Sequence, residues 1–440
     1  MNTGPARGMR DFLPEDVRRR QYVIGVIADV YQKYGFEPLE TPAVENLETL
    51  QGKYGEEGDR LIFKILKRGE GAETGQADLA LRYDVTVPLA RVVAEYRSKL
   101  PKFFKRYQIQ PVWRADRPQK GRFREFYQCD VDAIGSTSMT VEAEILAAAA
   151  DVLLQLGFKD FTIVVNHRKL LNAMLVHAGV PPALQGSALV AMDKVDKIGA
   201  DGVRKEFADR GLNPDSVSQL AGMLGTINKQ SLAQYSEQLN DDGQAAIRDL
   251  EELFKLTRHT SAGPYVSFDG YLARGLSYYT GPIFEIRVAD LAGSLGGGGR
   301  YDDLIGMFCG EKIPATGISL GLERILVVMG ERNMFPADVV STPADVMVVQ
   351  WFANRTELYL AFATELRGAG LRVELYPEAP TDDGKKVGDK QFKYAAARGI
   401  PFVAVIGADE LANGTVAIKN MKTGEQQSIP RAEVAKWLSS

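Results

Sequence analysis

The chain has 440 residues, 45% of them hydrophobic and 25% charged, with a net charge of −4. This allows about two to four globular domains and excludes a general nucleic-acid coat, though not a local basic surface. With only Cys129 and Cys309, and with His167, His177 and His259 scattered, no disulfide framework, thiolate cage or HExxH-type metal site is encoded.

The polar start "MNTGPARGMRDFLPED" has no apolar centre of the kind a signal peptide needs. The longest apolar stretch, around Ile145 to Leu156, carries Asp151 and is too short to span a bilayer, so a soluble cytoplasmic protein is expected. Helical periodicity over Asp16 to Tyr34 stops at Gly35, a common terminator. "FEPLETPAVE" reads as extended, broken by Pro38 and Pro42. "LIFKILK" alternates as a strand, "GEGAETGQAD" is a polar turn, and "LALRYDVTVPLARVVAEY" is a strand entering a helix near Val87. Strands near 103–113 and 125–134 flank "RADRPQKGR" as a hairpin with a long tip. From Arg168 to Leu256 the pattern is almost wholly helical. Strand-like sequence returns with "YVSFDGYLARGLSYYTGPIFEIRV", followed by "GSLGGGGRYD" and the helix "TGISLGLERILVVMG". After the linker-like "NMFPADVVSTPAD", the strands "DVMVVQW", "LRVELYP" and "PFVAVIG" alternate with helices, which predicts a parallel or mixed sheet.

Several stretches carry chemistry. Between Arg97 and Arg124 there are ten Lys or Arg against Asp116 alone, interleaved with aromatics. Such a patch suits phosphates and base stacking, or it is a solvated hairpin. In "REFYQCDVDAIG", period two puts Gln128, Asp130 and Asp132 on one face, either as a solvent-facing edge strand or as a polar floor. Arg324, within the apolar "ISLGLERILVV", needs an anion or a partner such as its neighbour Glu323. Arg274 precedes Tyr278 and Tyr279, read as opposite faces of a strand that could serve packing alone. "GGGGRYD" lacks the strand–turn–helix context of a phosphate loop and predicts close backbone approach or a mobile loop.

Taken in order, "GMRDFLPED", "LRYDVTVP", "WRADRPQKGRFREFYQCDVD", "ARGLSYYTG", "GGGGRYDDL" and "ATGISLGLERIL" resemble the histidyl-tRNA synthetase family, class II aminoacyl-tRNA synthetases, over essentially the whole chain. "FEPLETP" looks like class motif 1, with Pro42 at a homodimer interface. The arginine-rich hairpin looks like motif 2 and "ATGISLGLERIL" like motif 3, while "ARGLSYYTG" and "GGGGRYD" look like the two histidine-specific motifs. The implied fold is α/β (α+β): an antiparallel-sheet catalytic domain with a helical insertion, plus a C-terminal α/β anticodon-binding domain. The expected boundaries are 1–167 and 257–334 for the catalytic parts, 168–256 for the insertion and 343–440 for the anticodon-binding domain.

The resemblance implies activation of L-histidine by ATP, with Mg²⁺ bridging the outer phosphates, and transfer to tRNA(His). Arg114 and Arg274 would contact the α-phosphate, Arg324 the γ-phosphate with help from Arg122, and Phe126 would stack near the adenine. Asp84, Thr86 and Gln128 would surround the histidine ammonium. Asp132 and Tyr279 would read the imidazole beside Tyr278, with Asp130 contributing electrostatically. Arg117 and Gln119 are the expected acceptor-stem contacts, whereas Lys385, Lys386 and Lys390 fit a solvated loop equally well. Two positions depart from common family patterns: Ser277 stands where Asp is usual, and Asp84 replaces the Glu of many bacterial members. The alternative is a synthetase-like regulatory subunit that senses histidine. Such subunits typically lack the anticodon domain, which residues 343–440 would supply here.

Overall fold

The computed structural model describes residues 3–274, 278–291, 293–340, 342–381 and 385–439. Ser277 and the side chains of Lys385 and Lys386 lie outside the described residues. The chain divides into two compact units, Met1–Met334 and Phe335–Ser440.

In the first unit the helix Pro14–Lys33 precedes β1 (Glu37–Pro38), β2 (Val44–Asn46), β3 (Lys64–Leu66) and β4 (Ala77–Leu81). The helix Thr86–Glu95 leads into the hairpin β5 (Phe104–Trp113) and β6 (Glu125–Ile134). The helix Met139–Gln155 and β7 (Phe161–His167) follow, then a run of helices from Arg168–His177 to Asp241–Thr257. β8 (Val266–Phe268), β9 (Pro282–Val288), β10 (Gly296–Arg300) and β11 (Ala315–Gly321) complete the strands before the helix Leu322–Glu331.

β2, β4 and β3 make a small sheet, while the other eight strands run in the order β1-β5-β6-β11-β10-β9-β7-β8. Only β1–β5 and β7–β8 pair parallel within the larger sheet. β6 is therefore interior, bonded to β5 on one side and β11 on the other, which rules out the edge-strand reading of Gln128, Asp130 and Asp132. The four-alanine run Ala147–Ala150 is fully buried in the helix Met139–Gln155. Small side chains there let helices and sheet approach closely.

The glycine run is a strand and not a loop. β10 lies between β11 and β9, and a Cβ on Gly296 would fall 2.6 Å from the Ser319 carbonyl oxygen. Close backbone approach is thus the reason for these glycines.

The second unit holds β12 (Val346–Val348), β13 (Val373–Leu375), β14 (Phe402–Val405), β15 (Thr415–Asn420) and β16 (Gln426–Pro430). Their order is β13-β12-β14-β15-β16, with the first three parallel and the last two added antiparallel. Val346 and Val348 belong to one buried cluster and Met347 and Val349 to another, so both faces of the sheet are covered. Among the described residues no helix is long and apolar enough to cross a membrane.

Candidate active site

Three polar rungs cross the middle of the large sheet. Arg106 faces Asp132, Gln108 faces Asp130 and Gln110 faces Gln128 across β5–β6, while Ser319 and Gly317 of β11 face Asp130 and Asp132. All three predicted floor residues on β6 are buried.

Asp132 has an ion pair at one oxygen and a hydrogen bond at the other. Arg106, fully buried, pairs with Oδ2 at 2.7 Å, and the Tyr301 hydroxyl donates a short bond to Oδ1. Asp84 Oδ1 accepts from the Tyr54 hydroxyl and the Val87 N–H, each at 3.0 Å. Thr86 Oγ1 donates to Asp130 Oδ2 at 3.4 Å, and Gln128 Nε2 donates to Ser319 Oγ at 3.0 Å. These bonds leave Asp84 Oδ2, Gln128 Oε1 and Asp130 Oδ1 buried with no hydrogen-bond partner. Buried acceptors of this kind are costly unless a donor meets them, and a compact cation with several N–H groups would satisfy all three.

Burial raises the Asp84 carboxyl above its ordinary range. Burial first, and then the neighbouring Asp132, push Asp130 up to about 7. A cation bound here needs Asp130 ionised. The substrate KM of the unaltered protein is therefore expected to rise as pH falls below about 7. In Asp130→Asn that limb should flatten. KM profiles of both proteins check this, and parallel profiles would remove Asp130 from the site.

Four arginines form the opposite side. Arg114 donates from Nε to the Tyr83 carbonyl at 3.0 Å and lies over the Tyr83 and Phe126 rings, 4.3 and 5.1 Å from their centroids. Arg122 grips Asp116 through two bonds of 3.0 and 2.7 Å. Arg324 donates to the Gly121 carbonyl at 3.4 Å and closely to the Ser294 carbonyl. Its pKa is lowered by burial and then by Arg122, Arg274 and Arg114, with Glu285 opposing. A bound anion would relieve this mutual repulsion.

Arg274 has φ +49, a left-handed conformation that costs a non-glycine residue about 1 kcal/mol or more. Its Nη1 reaches Glu285 at 3.3 Å, while its Nε is buried without a partner. Burial opposes its charge, but Tyr279 and Glu285 outweigh it and the pKa is raised. A Cβ on Gly297 would overlap its guanidinium, so this glycine makes the room that Arg274 occupies.

Tyr278 and Tyr279 both lie in the segment before β9 and not on a strand, and both are buried, in contrast to the opposite-faces reading. Their rings meet edge to face at 5.0 Å, and Tyr278 also meets Tyr301 at 6.0 Å. Tyr278 feels both Asp84 and Arg114, and Tyr279 feels Arg274 as well as Asp130, which joins the cationic and acidic sides.

Glu323 does not partner Arg324. It pairs with Arg20 at 2.9 Å and accepts the Tyr127 N–H at 3.0 Å, tying the helix Leu322–Glu331 to the first helix and to β6. Arg117 and Gln119 are exposed at the hairpin tip, where Gln119 and Arg122 exchange backbone bonds around Gly121 (φ +70). The Arg124 N–H donates to the Gly8 carbonyl at 2.8 Å, and Arg10 lies 3.3 Å from the Phe123 centroid, so the start of the chain braces the tip.

Residues not singled out from the sequence complete the site. Arg106 and Gln108 were signalled by period two in "KRYQIQP"; Tyr301 and Ser319 lie within "GGGGRYD" and "ATGISLGLERIL" without any local sign of what they touch, and Tyr54 carried no sign at all. Arg82 is buried and donates to the Thr41, Pro42 and Pro111 carbonyls at 2.6, 3.3 and 2.8 Å, welding the Pro42 segment to the hairpin.

A family model described as histidyl-tRNA synthetase matches residues 8–325, and one described as an anticodon binding domain matches residues 345–440. A histidine–tRNA ligase of Gloeobacter violaceus is 41% identical, with 99% of this chain and 98% of that relative covered. One from Flavobacterium johnsoniae is 42% identical, with 96% of each covered. The crystal structure of histidyl-tRNA synthetase from Nostoc sp. PCC 7120 aligns with a TM-score of 0.83 at 31% identity, covering 100% of this chain and 99% of that one. Matched along its length by these motifs and relatives, the chain belongs to the histidyl-tRNA synthetase family.

Proposed function

We propose that the chain joins L-histidine to tRNA(His) in two steps driven by ATP. The observation that carries this is the meeting of four guanidiniums with a floor of unpartnered buried acceptors. Such a site takes an anion and a cation side by side, as activation of an amino acid by a nucleotide requires.

In the first step a carboxylate oxygen of histidine attacks the α-phosphorus, the bond to the bridging oxygen breaks, and pyrophosphate leaves. Arg114 and Arg274 face the α-phosphate as charge builds on it, Arg324 with Arg122 takes the γ-phosphate, and Phe126 stacks near adenine. Asp84, Thr86 and Gln128 surround the α-ammonium with Asp130 adding its charge, while Tyr279 and Asp132, the latter oriented by Arg106 and Tyr301, read the imidazole. Tyr278 closes the wall beside them. In the second step a hydroxyl of the terminal ribose of tRNA attacks the histidyl carbonyl, and AMP departs. Arg117 and Gln119 meet the acceptor stem.

Among the described residues no group of three or more His, Cys, Asp or Glu gathers as a metal cage. Mg²⁺ needs only one or two carboxylates beside substrate phosphates, so the ion would arrive with the triphosphate of the substrate. By family likeness the chain works as a homodimer through the Pro42 segment, in the cytoplasm where tRNA is charged.

Histidine-dependent exchange of labelled pyrophosphate into ATP tests the reading, with proline, threonine and glycine as controls. Histidine alone should support exchange and charging of tRNA(His). Arg274→Ala should cut kcat by about 10²–10³, the usual cost of one transition-state donor. Histidine binding without exchange in the unaltered chain would overturn the proposal in favour of a sensor.

A further inference from the structure

Arg274 is held in place by residues that the proposed reaction does not use. Its backbone is left-handed, and residues 270–272 just before it are bonded to the end of β7. There the fully buried Asn166 turns its amide onto that segment. Its Nδ2 donates to the Gly270 and Leu272 carbonyls at 3.1 and 3.0 Å, and its Oδ1 accepts the His167 N–H at 2.8 Å. Donors and acceptor of the amide are thus all engaged, which fixes its orientation. The Asp269 N–H adds a bond to the Val165 carbonyl at 3.1 Å, and the Arg168 N–H, one residue past β7, donates to the Gly281 carbonyl at 2.9 Å.

The side chain of Arg274 is set from a second direction. Val164 and Asn166 of β7 stand opposite Glu285 and Ile283 of β9, and Glu285 stands opposite Gly297 of β10, so these positions share one face of the sheet. Arg274 lies over that face, where Gly297 leaves it room. Glu285 Oε2 meets Arg274 Nη1 at 3.3 Å, and Glu285 Oε1 accepts from Arg287 Nε at 2.8 Å. Arg287 Nη1 in turn reaches Asp269 Oδ2 at 2.7 Å, and Asp269 Oδ1 accepts the Tyr271 N–H at 2.9 Å. The chain Arg274–Glu285–Arg287–Asp269 therefore closes back on the segment that Asn166 holds.

We infer that Asn166 and Arg287 are positioning residues for Arg274, the first through the backbone and the second through Glu285. A left-handed arginine persists only where its surroundings over-determine it. Without the Asn166 amide two carbonyls lose their donor, and the turn relaxes and carries the guanidinium with it. Without Arg287, Glu285 turns to Arg274 and draws it away from its place. Asn166 spends its polar atoms on the protein and Arg287 is bound to two carboxylates, so each acts through Arg274. The inference rests on the proposed activation of histidine, with Arg274 at the α-phosphate, and adds what places it there.

Histidine-dependent exchange of pyrophosphate into ATP is measured for Asn166→Ala and Arg287→Met, alone and combined with Arg274→Ala, beside melting curves. Each single change should lower kcat about ten- to a hundredfold in folded protein, the scale of an ångström-sized shift at a reacting group. KM for histidine and for ATP should stay within about threefold, because the lost interaction is made in the transition state. In the Arg274→Ala background the same changes should cost little more, since residues that act as a unit do not add. Arg287→Lys, which keeps a cation beside Glu285, should recover most of the rate. Should Asn166→Ala fail to fold, the partly exposed Arg287 decides the matter. Losses that multiply with that of Arg274→Ala, or an unchanged kcat in the folded variants, overturn the inference alone. No histidine-dependent exchange in the unaltered chain overturns the activation reading and this inference with it.

Discussion

Gly297→Ala is expected to leave the fold intact and nearly abolish amino-acid activation. The added methyl would overlap only the tip of Arg274, the far end of a flexible side chain, so the fold can yield at a cost of about 1 kcal/mol. The guanidinium cannot both move aside and stay where charge develops. A shift on the order of 1 Å at such a group lowers rate about a hundredfold. Gly298→Ala is the contrast, because its methyl would overlap the Gly317 carbonyl oxygen of the adjoining strand, which cannot swing away. That variant should lose about 1–3 kcal/mol or fail to fold. Thermal melts beside exchange rates separate the two. A Gly297→Ala protein with near-normal kcat would refute the placement of Arg274 at the reacting phosphate.

Among the polar rungs of the sheet the largest loss of stability should come from Arg106→Leu. Arg106 is the cation that pairs with Asp132 in the sheet interior, and removing one partner of such a pair costs about 3–5 kcal/mol. The sign with pH follows from the carboxyl left behind. Burial already raises Asp132, with Arg106 the largest influence lowering it, so the variant carries a still higher folded pKa. Below the ordinary carboxylate value of 3.8 both folded and unfolded states are protonated and the penalty is small. As pH rises above that value the unfolded chain ionises freely while the folded one cannot, and the penalty grows. Arg106→Leu/Asp132→Asn should recover most of the loss at pH 7, since Asp132 then no longer carries a buried charge without its cation. Equal melting of Arg106→Leu and the unaltered protein near neutral pH would contradict the pairing.

Local pattern carried the β5–β6 hairpin, because period two and its cluster of arginines lie within one stretch. It could not place β6 inside the sheet, since that depends on β11, about 180 residues further on. The partner of Glu323 was hidden for the same reason: Arg20 is 303 residues away, and the adjacent Arg324 is the nearer but wrong choice. Tyr278 and Tyr279 read as strand because aromatic pairs favour strands, but β9 begins only at Pro282. The antiparallel pair β15–β16 was missed because "TVAIKN" and "QQSIP" are short and weakly alternating around the Thr423–Gly424 turn. Of the candidate site, the arginines and acids could be named from their motifs. That the hydroxyls of Tyr54 and of Tyr301 in "GGGGRYD" orient the acids could not be read, because only the fold brings them near.

The interior position of β6 also bears on how the protein is made. At about 5–20 residues per second, a ribosome needs on the order of ten to forty seconds to produce β11 after β6 has emerged. During that interval the β5–β6 hairpin has one open edge, the situation in which nascent chains pair with one another. That edge presents Asp130 and Asp132, whose charges disfavour pairing with a second copy of the same strand. The carboxylates set in the sheet interior are thus also the like charges that a second copy of β6 would meet along that edge.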